Sequence, residues 1–447
     1  MRNITKIIDR FKQNWTQELS EDAIAQAARG VGMTWNDSTL NPIVTIQIFF
    51  LQVLHGNTAC EHLSHLSGLS FTAAAYCKAR MRVPLEVLQT LLSRCVEQLQ
   101  QEAFGSARWR GHRVFHIDGS SFSMPDTPAL QAYFGQPTGQ KPGCGFPTAH
   151  WLVQTHAATG MIAKMLTGPL RTSDLSGVVE LHPTLSAGDL LVADRAFCSY
   201  AHLALLLQRG VHGLLRIHQC LIVDFTPGRA HVAPAKRRKK GSKGKPRSRW
   251  IKQLGKLDQV VEWFKPMDVP EWMSADQFAS LPEAITVREL RYDIHQKGFR
   301  TRQITLVSTL LDAERYSRAD LAEQYRQRWE IETNFGHLKT TMNMDVLKCK
   351  TVAGVLRELQ VFALVYNMVR QVLLEAARRQ KVDVGRISFI DALRWLQTAT
   401  PGGDLPQLVI NPHRPNRLEP RVVKRRPKQF SLMTKPRRQL QKELTAK

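Results

Sequence analysis

The chain has 447 residues, 43% of them hydrophobic, which is enough for a large core and suggests about two to four domains rather than one. Its 62 Lys and Arg against 38 Asp and Glu give a formal charge of +24 and a pI near 10.1. A polyanionic partner is expected, and nucleic acid fits better than a lipid surface because no long basic amphipathic helix occurs. The composition also argues against three classes. Val44 to Leu54, the longest apolar stretch, contains Gln47 and Gln52 and is far short of the roughly 20 residues that cross a bilayer. Asp9 and Arg10 stand where a secretory signal would turn apolar, so a cytoplasmic or nucleoid-associated protein is expected. The seven cysteines are odd in number, scattered and never spaced C-x-x-C, which argues against a disulfide framework or zinc site and suggests that most are small buried hydrophobes.

Residues 1–105 read as a helical region, with apolar residues at helical spacing in Ile43 to Leu54 and Leu85 to Leu99. Within it, Thr58 to Leu66, a turn at Ser67, Gly68 and Leu69, and Phe71 to Arg82 with Lys78, Arg80 and Arg82 have the form of a helix-turn-helix DNA-binding domain. An ordinary helical hairpin fits the same short pattern. From residue 106 the period becomes that of strands. Val114 to Asp118 ends at Gly119, and Trp151 to His156 and Met161 to Leu166 flank a turn. A helix at Leu175 to Leu181, a buried strand at Leu190 to Ala193, a helix at Tyr200 to Arg209 and a strand at Val211 to Ile217 follow. That order predicts an α/β fold with a mixed sheet over 106–217.

Residues 218–300 change in composition. Lys236, Arg237, Arg238, Lys239 and Lys240 open a stretch with eleven basic residues up to Lys256, read as an exposed basic loop flanked by strands at Val260 to Phe264, Ile285 to Leu290 and Gln303 to Ser308. This segment has the character of a β-rich insertion, with the core resuming over 301–345. A helix starting at Ser317, with Asp320 three positions on, is predicted to run to Thr341. Residues 346–402 form a helical C-terminal region, with helices at Val352 to Arg379 and Phe389 to Thr398. Residues 403–447 are a basic tail. From Asn411 it carries twelve basic residues and five prolines and reads as flexible.

Three acids stand out. Asp118 and Asp194 each close an apolar strand, where α/β sheets present ligands, although either alone is equally a turn residue. On the predicted helix, Tyr325, Arg328, Glu332 and Lys339 fall at offsets of 0, 3, 7 and 14, all within an arc of about 60° at roughly 100° per residue. The pattern Tyr325-x2-Arg328-x3-Glu332-x6-Lys339, with the segments around Asp118 and Asp194, resembles the insertion sequence 4 family of bacterial DDE transposases. The resemblance implies an RNase H-like catalytic core with a β insertion between Asp194 and Glu332, and Asp118, Asp194 and Glu332 as catalytic acids. The spacings, 194 − 118 = 76 and 332 − 194 = 138 positions, leave room for that insertion.

Such acids would hold two divalent ions, Mg2+ or Mn2+, which prefer carboxylate oxygens and need no His or Cys. By the same resemblance Tyr325, Arg328 and Lys339 hold DNA phosphates, double-stranded DNA with terminal inverted repeats and target DNA are the partners, and a homodimer pairs two ends. Trp329 is either a core contact or a stacking platform for a base, and Lys236 to Lys240 would add phosphate contacts. The expected activity is cut-and-paste transposition. A related nuclease or resolvase without strand transfer and a non-catalytic DNA-binding regulator are the alternatives.

Overall fold

The computed structural model describes residues 19–101, 108–170, 174–232, 245–294, 303–398, 404–412 and 433–446. The first helices are α1 (Glu21–Gly30), α2 (Pro42–Leu54), α3 (Leu63–Ser67), α4 (Ala73–Arg82) and α5 (Leu85–Gln101). Their starts are set locally: Ser20, Asn41 and Thr72 side chains accept backbone N–H groups at the N-termini of α1, α2 and α4, satisfying donors that the first turn leaves free. Gly68, at φ 67°, ends α3 in the left-handed conformation, so the turn between α3 and α4 falls where the sequence placed it.

A single nine-stranded sheet with order β3-β2-β1-β4-β5-β9-β8-β7-β6 crosses the molecule. Its strands are β1 (Val114–Ser123), β2 (Thr148–His156), β3 (Ile162–Pro169), β4 (Leu190–Ala193), β5 (His212–Arg216), β6 (Arg249–Gly255), β7 (Asp258–Phe264), β8 (Ala284–Asp293) and β9 (Gln303–Ser308). β1, β4 and β5 are mutually parallel; every other pairing is antiparallel. The mixed α/β class follows from this sheet and the helices against it. β6, β7 and β8, drawn from the basic segment, add to the same sheet through β9.

Both faces are covered. Phe115, Ile117, Leu191 and Ala193 pack with α6 (Asp174–Leu181) and α7 (Tyr200–Gln208) on one. Val114, Leu190 and Val192 pack on the other with Leu321 and Tyr325 of α8 (Arg318–Gln327). On that second face the long helix α9 (Val352–Gln380) joins α1, α2 and α5 in a core that also takes in Phe122, Trp151 and Val153. α9 is long and apolar enough to span a bilayer, but 72% of its most apolar window is packed inside the protein.

Several expectations change. β1 does not stop at Asp118 but runs on to Ser123, paired with β2 as far as Thr148; the polar run Ser120, Ser121 and Ser123 concealed a strand held by backbone pairing rather than by apolar alternation. The helix from Ser317 is not continuous to Thr341. α8 ends at Gln327, α10 (Glu330–Gly336) follows, and His337 to Thr341 form a π turn. The basic tail ends in a helix, α11 (Arg437–Thr445). Arg437 lies over the Phe146 ring, 5.1 Å from its centroid, and 3.9 Å from Asp126, so this end docks on the protein. Of the seven cysteines only Cys95, Cys198 and Cys349 are buried.

Candidate active site

Asp118 and Asp194 are brought together by strand register. Arg113, just before β1, grips Asp189, just before β4, through two hydrogen bonds of 2.8 and 2.6 Å, and the pairing runs from Val114 opposite Leu190 to Ile117 opposite Ala193. One residue beyond that last pair stand Asp118 and Asp194, on strands about 4.8 Å apart and on the same face. Gly119 N–H donates to Asp118 Oδ1 at 2.8 Å. Burial, with Glu332 and Asp194 nearby, raises the Asp118 pKa above the usual carboxylate range, although Arg328 and the Gly119 N–H oppose this. A carboxyl in that condition gains from any added positive charge.

The helix pair α8 and α10 brings the third acid. Ser317 and Asp320 form a reciprocal cap, with Asp320 N–H to Ser317 Oγ 3.2 Å and Ser317 N–H to Asp320 Oδ2 3.0 Å. The shorter Asp thus does what Glu or Gln does in the usual box. The Tyr325 ring is buried with Val192 and Leu321, and its hydroxyl donates to Asp194 Oδ1 at 3.1 Å. Between the helices the backbone closes i to i+3 bonds, from Arg328 N–H to Tyr325 O and from Glu332 N–H to Trp329 O. That tightening turns Arg328 inward, to 8% side-chain exposure, between Asp118 Oδ2 at 3.2 Å and Glu332 Oε1 at 3.4 Å. Burial alone would lower the guanidinium pKa; Tyr325, Asp118, Asp194 and Glu332 outweigh it and raise it.

Tyr325, Arg328, Glu332, Asp118 and Asp194 therefore form one cluster. Lys339, in the π turn, stands one step along β1, its ammonium 5.1 Å from the Phe122 ring centroid. Trp329 is 51% exposed, which removes the core-contact reading. Lys236, Arg237, Arg238, Lys239 and Lys240 lie outside the described residues. The sequence reading missed His116, on the same strand face as Asp118. It is buried, its Nε2 lacks a partner among the described residues, and burial pulls its pKa down to about 3. A His two positions before a strand acid was the available signal.

Among the described residues no three His, Cys, Asp or Glu side chains are grouped closely enough to hold a metal; the Arg328 guanidinium lies between two of the acids instead. The donor chemistry nonetheless suits a hard divalent cation, since the cluster offers carboxylate oxygens and no thiolate or imidazole.

A sheet whose adjacent parallel strands carry two acids, faced by a helix bearing a third, is an arrangement suited to polynucleotide phosphoryl transfer. The sequence profile of the transposase DDE domain matches residues 109–368, which include all three acids, and the chain belongs to that family. It is 25% identical over 374 residues to the transposase InsG for insertion sequence element IS4 of Escherichia coli (strain K12), covering 79% of this chain and 77% of that one, and is a DDE transposase of the IS4 type. A solved structure, the piggyBac transposase synaptic complex with hairpin DNA, is similar over 89% of this chain and 80% of the other, at 11% identity and a TM-score of 0.39.

Proposed function

We propose that the protein excises an insertion sequence at its inverted ends and joins the freed 3′ ends to target DNA, with Asp118, Asp194 and Glu332 as the catalytic acids. The observation that carries this is the convergence of Tyr325, Arg328 and Glu332 on the two strand aspartates. The run β3-β2-β1-β4-β5, with β1, β4 and β5 parallel, supports an RNase H-like core over 106–217 and 301–345. In this reading 218–300 is its insertion and 1–105 the DNA-binding region.

The three acids would hold Mg2+ or Mn2+, two ions in the expected case, which when bound activate the attacking oxygen and stabilise the leaving one. Arg328 and Lys339 grip phosphates beside the cut, Arg as a fork and Lys as a point charge. The Tyr325 hydroxyl orients Asp194 and reaches the same strand. Trp329, exposed beside Arg328, stacks on an unpaired base. The protein works as a homodimer on two ends and is nucleoid-associated.

The test is a strand-transfer assay with pre-cut terminal DNA and either Mg2+ or Mn2+. Wild type should join ends to target, and Asp194→Asn should bind the same DNA yet lose both cleavage and joining. Cleavage without joining would favour a nuclease or resolvase, and an Asp194→Asn protein that keeps its biological role would favour a regulator.

A further inference from the structure

Beyond the end of β1 lies a cavity of about 340 Å3 lined by Arg80, Lys348, Lys350 and Arg357. Arg80 comes from α4, Lys348 and Lys350 from the segment before α9, and Arg357 from the first turns of α9. Among the described residues none of the four pairs with a carboxylate. Arg80 donates to Gln52 Oε1 at 2.9 Å and to Cys349 Sγ at 3.3 Å. Lys348 Nζ donates to the Asn57 carbonyl, and Arg357 Nε to the Val83 carbonyl. The nearby acid, Glu358, is already occupied by Asn57 Nδ2 and the N–H groups of Lys348 and Cys349, at 2.6, 2.8 and 2.9 Å. Cys60, which also lines the cavity, has its thiol pushed up to about 11 by burial and stays uncharged. Against these four cations stand Glu358, whose charge bears on Arg80, and Glu86, whose charge bears on Arg357, and the remaining excess of positive charge around one concavity favours an anion.

The cavity is joined to the active site by backbone. β1 passes from Asp118 to Ser123, which bridges Val346 and accepts the Leu347 N–H at 3.0 Å. The strand covers about 17 Å at roughly 3.3 Å per residue, the axial span of about five nucleotides of one DNA strand. Lys339 lies on the way, over Phe122.

We propose that this cavity is a second phosphate site, which seats a backbone phosphate of the DNA as it leaves the active site and fixes its direction. Arg80 is turned inward, over the Phe49 and Tyr76 rings, whereas Lys78 and Arg82 of the same helix face solvent. The inference rests on the reading of the protein as DNA-acting.

The test measures binding of the full chain to short duplex DNA of arbitrary sequence, without divalent metal, across a series of salt concentrations. Lys350→Gln and Arg357→Gln should each weaken binding and flatten the slope of log affinity against log salt by about 0.9, and the double variant by about 1.8. Lys350 is exposed, so its variant tests the site even where Arg357→Gln disturbs the contact with Val83. Lys381→Gln, just past the far end of the same 29-residue helix and about 36 Å from Arg357, should leave the slope unchanged. An unchanged slope for Lys350→Gln, or an equal loss with Lys381→Gln, overturns the proposal. A parallel arm follows the melting temperature with inorganic phosphate. If phosphate protects wild type but not the double variant while the DNA slopes agree, the site takes free phosphate and the DNA seat is overturned. If wild type binds no DNA at all, the functional reading itself fails. The same arm then decides whether the cavity holds phosphate.

Discussion

Arg328 holds the positions a cation would otherwise fill. Its guanidinium is buried between Asp118 and Glu332, so it opposes the upward shift that burial, and to a lesser extent the charge of Glu332, imposes on Asp118. Arg328→Lys keeps the charge but loses the planar fork. It should lower strand cleavage by about 100-fold, the scale of losing one preorganised charged donor, while leaving the DNA affinity within a few fold; a cleavage rate equal to wild type would remove the fork from the mechanism. A different buried pair should govern stability. Arg288, 1% exposed, grips Asp258 through bonds of 2.7 and 2.5 Å and donates to the Tyr316 carbonyl at 2.6 Å. Asp258→Ala would leave that guanidinium buried and unpaired, at a cost of about 3 to 5 kcal/mol, measured as a fall in the denaturant midpoint. A loss below about 1 kcal/mol would mean that Arg288 reaches water in the variant.

At the scale of elements, α5 and α9 were legible from helical apolar periodicity, and α2 and β4 from continuous apolar runs that are buried almost throughout. The active helix was legible in residue identity but not in geometry. Its break at Arg328 and Trp329 has no Gly or Pro to mark it, and the π turn at His337 to Thr341 is preceded only by Gly336. The far half of β1 was hidden because its serines pair through the backbone. The single helix face predicted for Tyr325, Arg328, Glu332 and Lys339 consequently divides, with Tyr325, Arg328 and Glu332 at the strand aspartates and Lys339 over Phe122. The N-cap of α8 gives a test of how firmly that helix must be held. Ser317→Ala removes the acceptor for Asp320 N–H and should cost about 1 kcal/mol. Because α8 carries Tyr325 to Asp194, cleavage should fall more than stability alone accounts for. A loss of cleavage that tracks only the folded fraction would show that sheet packing, not the cap, sets the position of Tyr325.

The molecule as a whole buries neutral histidines on elements from both faces of the sheet. His116 and His182 are pulled down to about 3 and His156, His202 and His337 to about 4, in each case chiefly by burial. His182 and His202 form a stacked pair with Nε2 atoms 3.1 Å apart, and His202 Nδ1 faces the Phe197 carbonyl at 2.8 Å. His202 therefore donates through Nδ1 and accepts from His182 through Nε2, an arrangement that holds only while His202 is neutral. The folded pKa values lie below the unfolded value of about 6.5, so the unfolded chain takes up these protons first as the pH falls. Stability is fully present above about 6.5 and declines down to about 4 for His156, His202 and His337 and to about 3 for His116 and His182, by on the order of 1.4 kcal/mol per pH unit for each histidine. Replacing His182 and His202 together by leucine should flatten the pH dependence of the unfolding free energy by roughly twice that amount per unit, whatever it does to the absolute stability. Unfolding titrations of wild type and variant between pH 7 and about 4.5, where both proteins start from the same charge on every other group, read the difference directly. If the two slopes coincide, the pair is already protonated in the folded protein. The acid sensitivity would then have to come from the carboxylates and from the repulsion that a formal charge of +24 brings to the compact state.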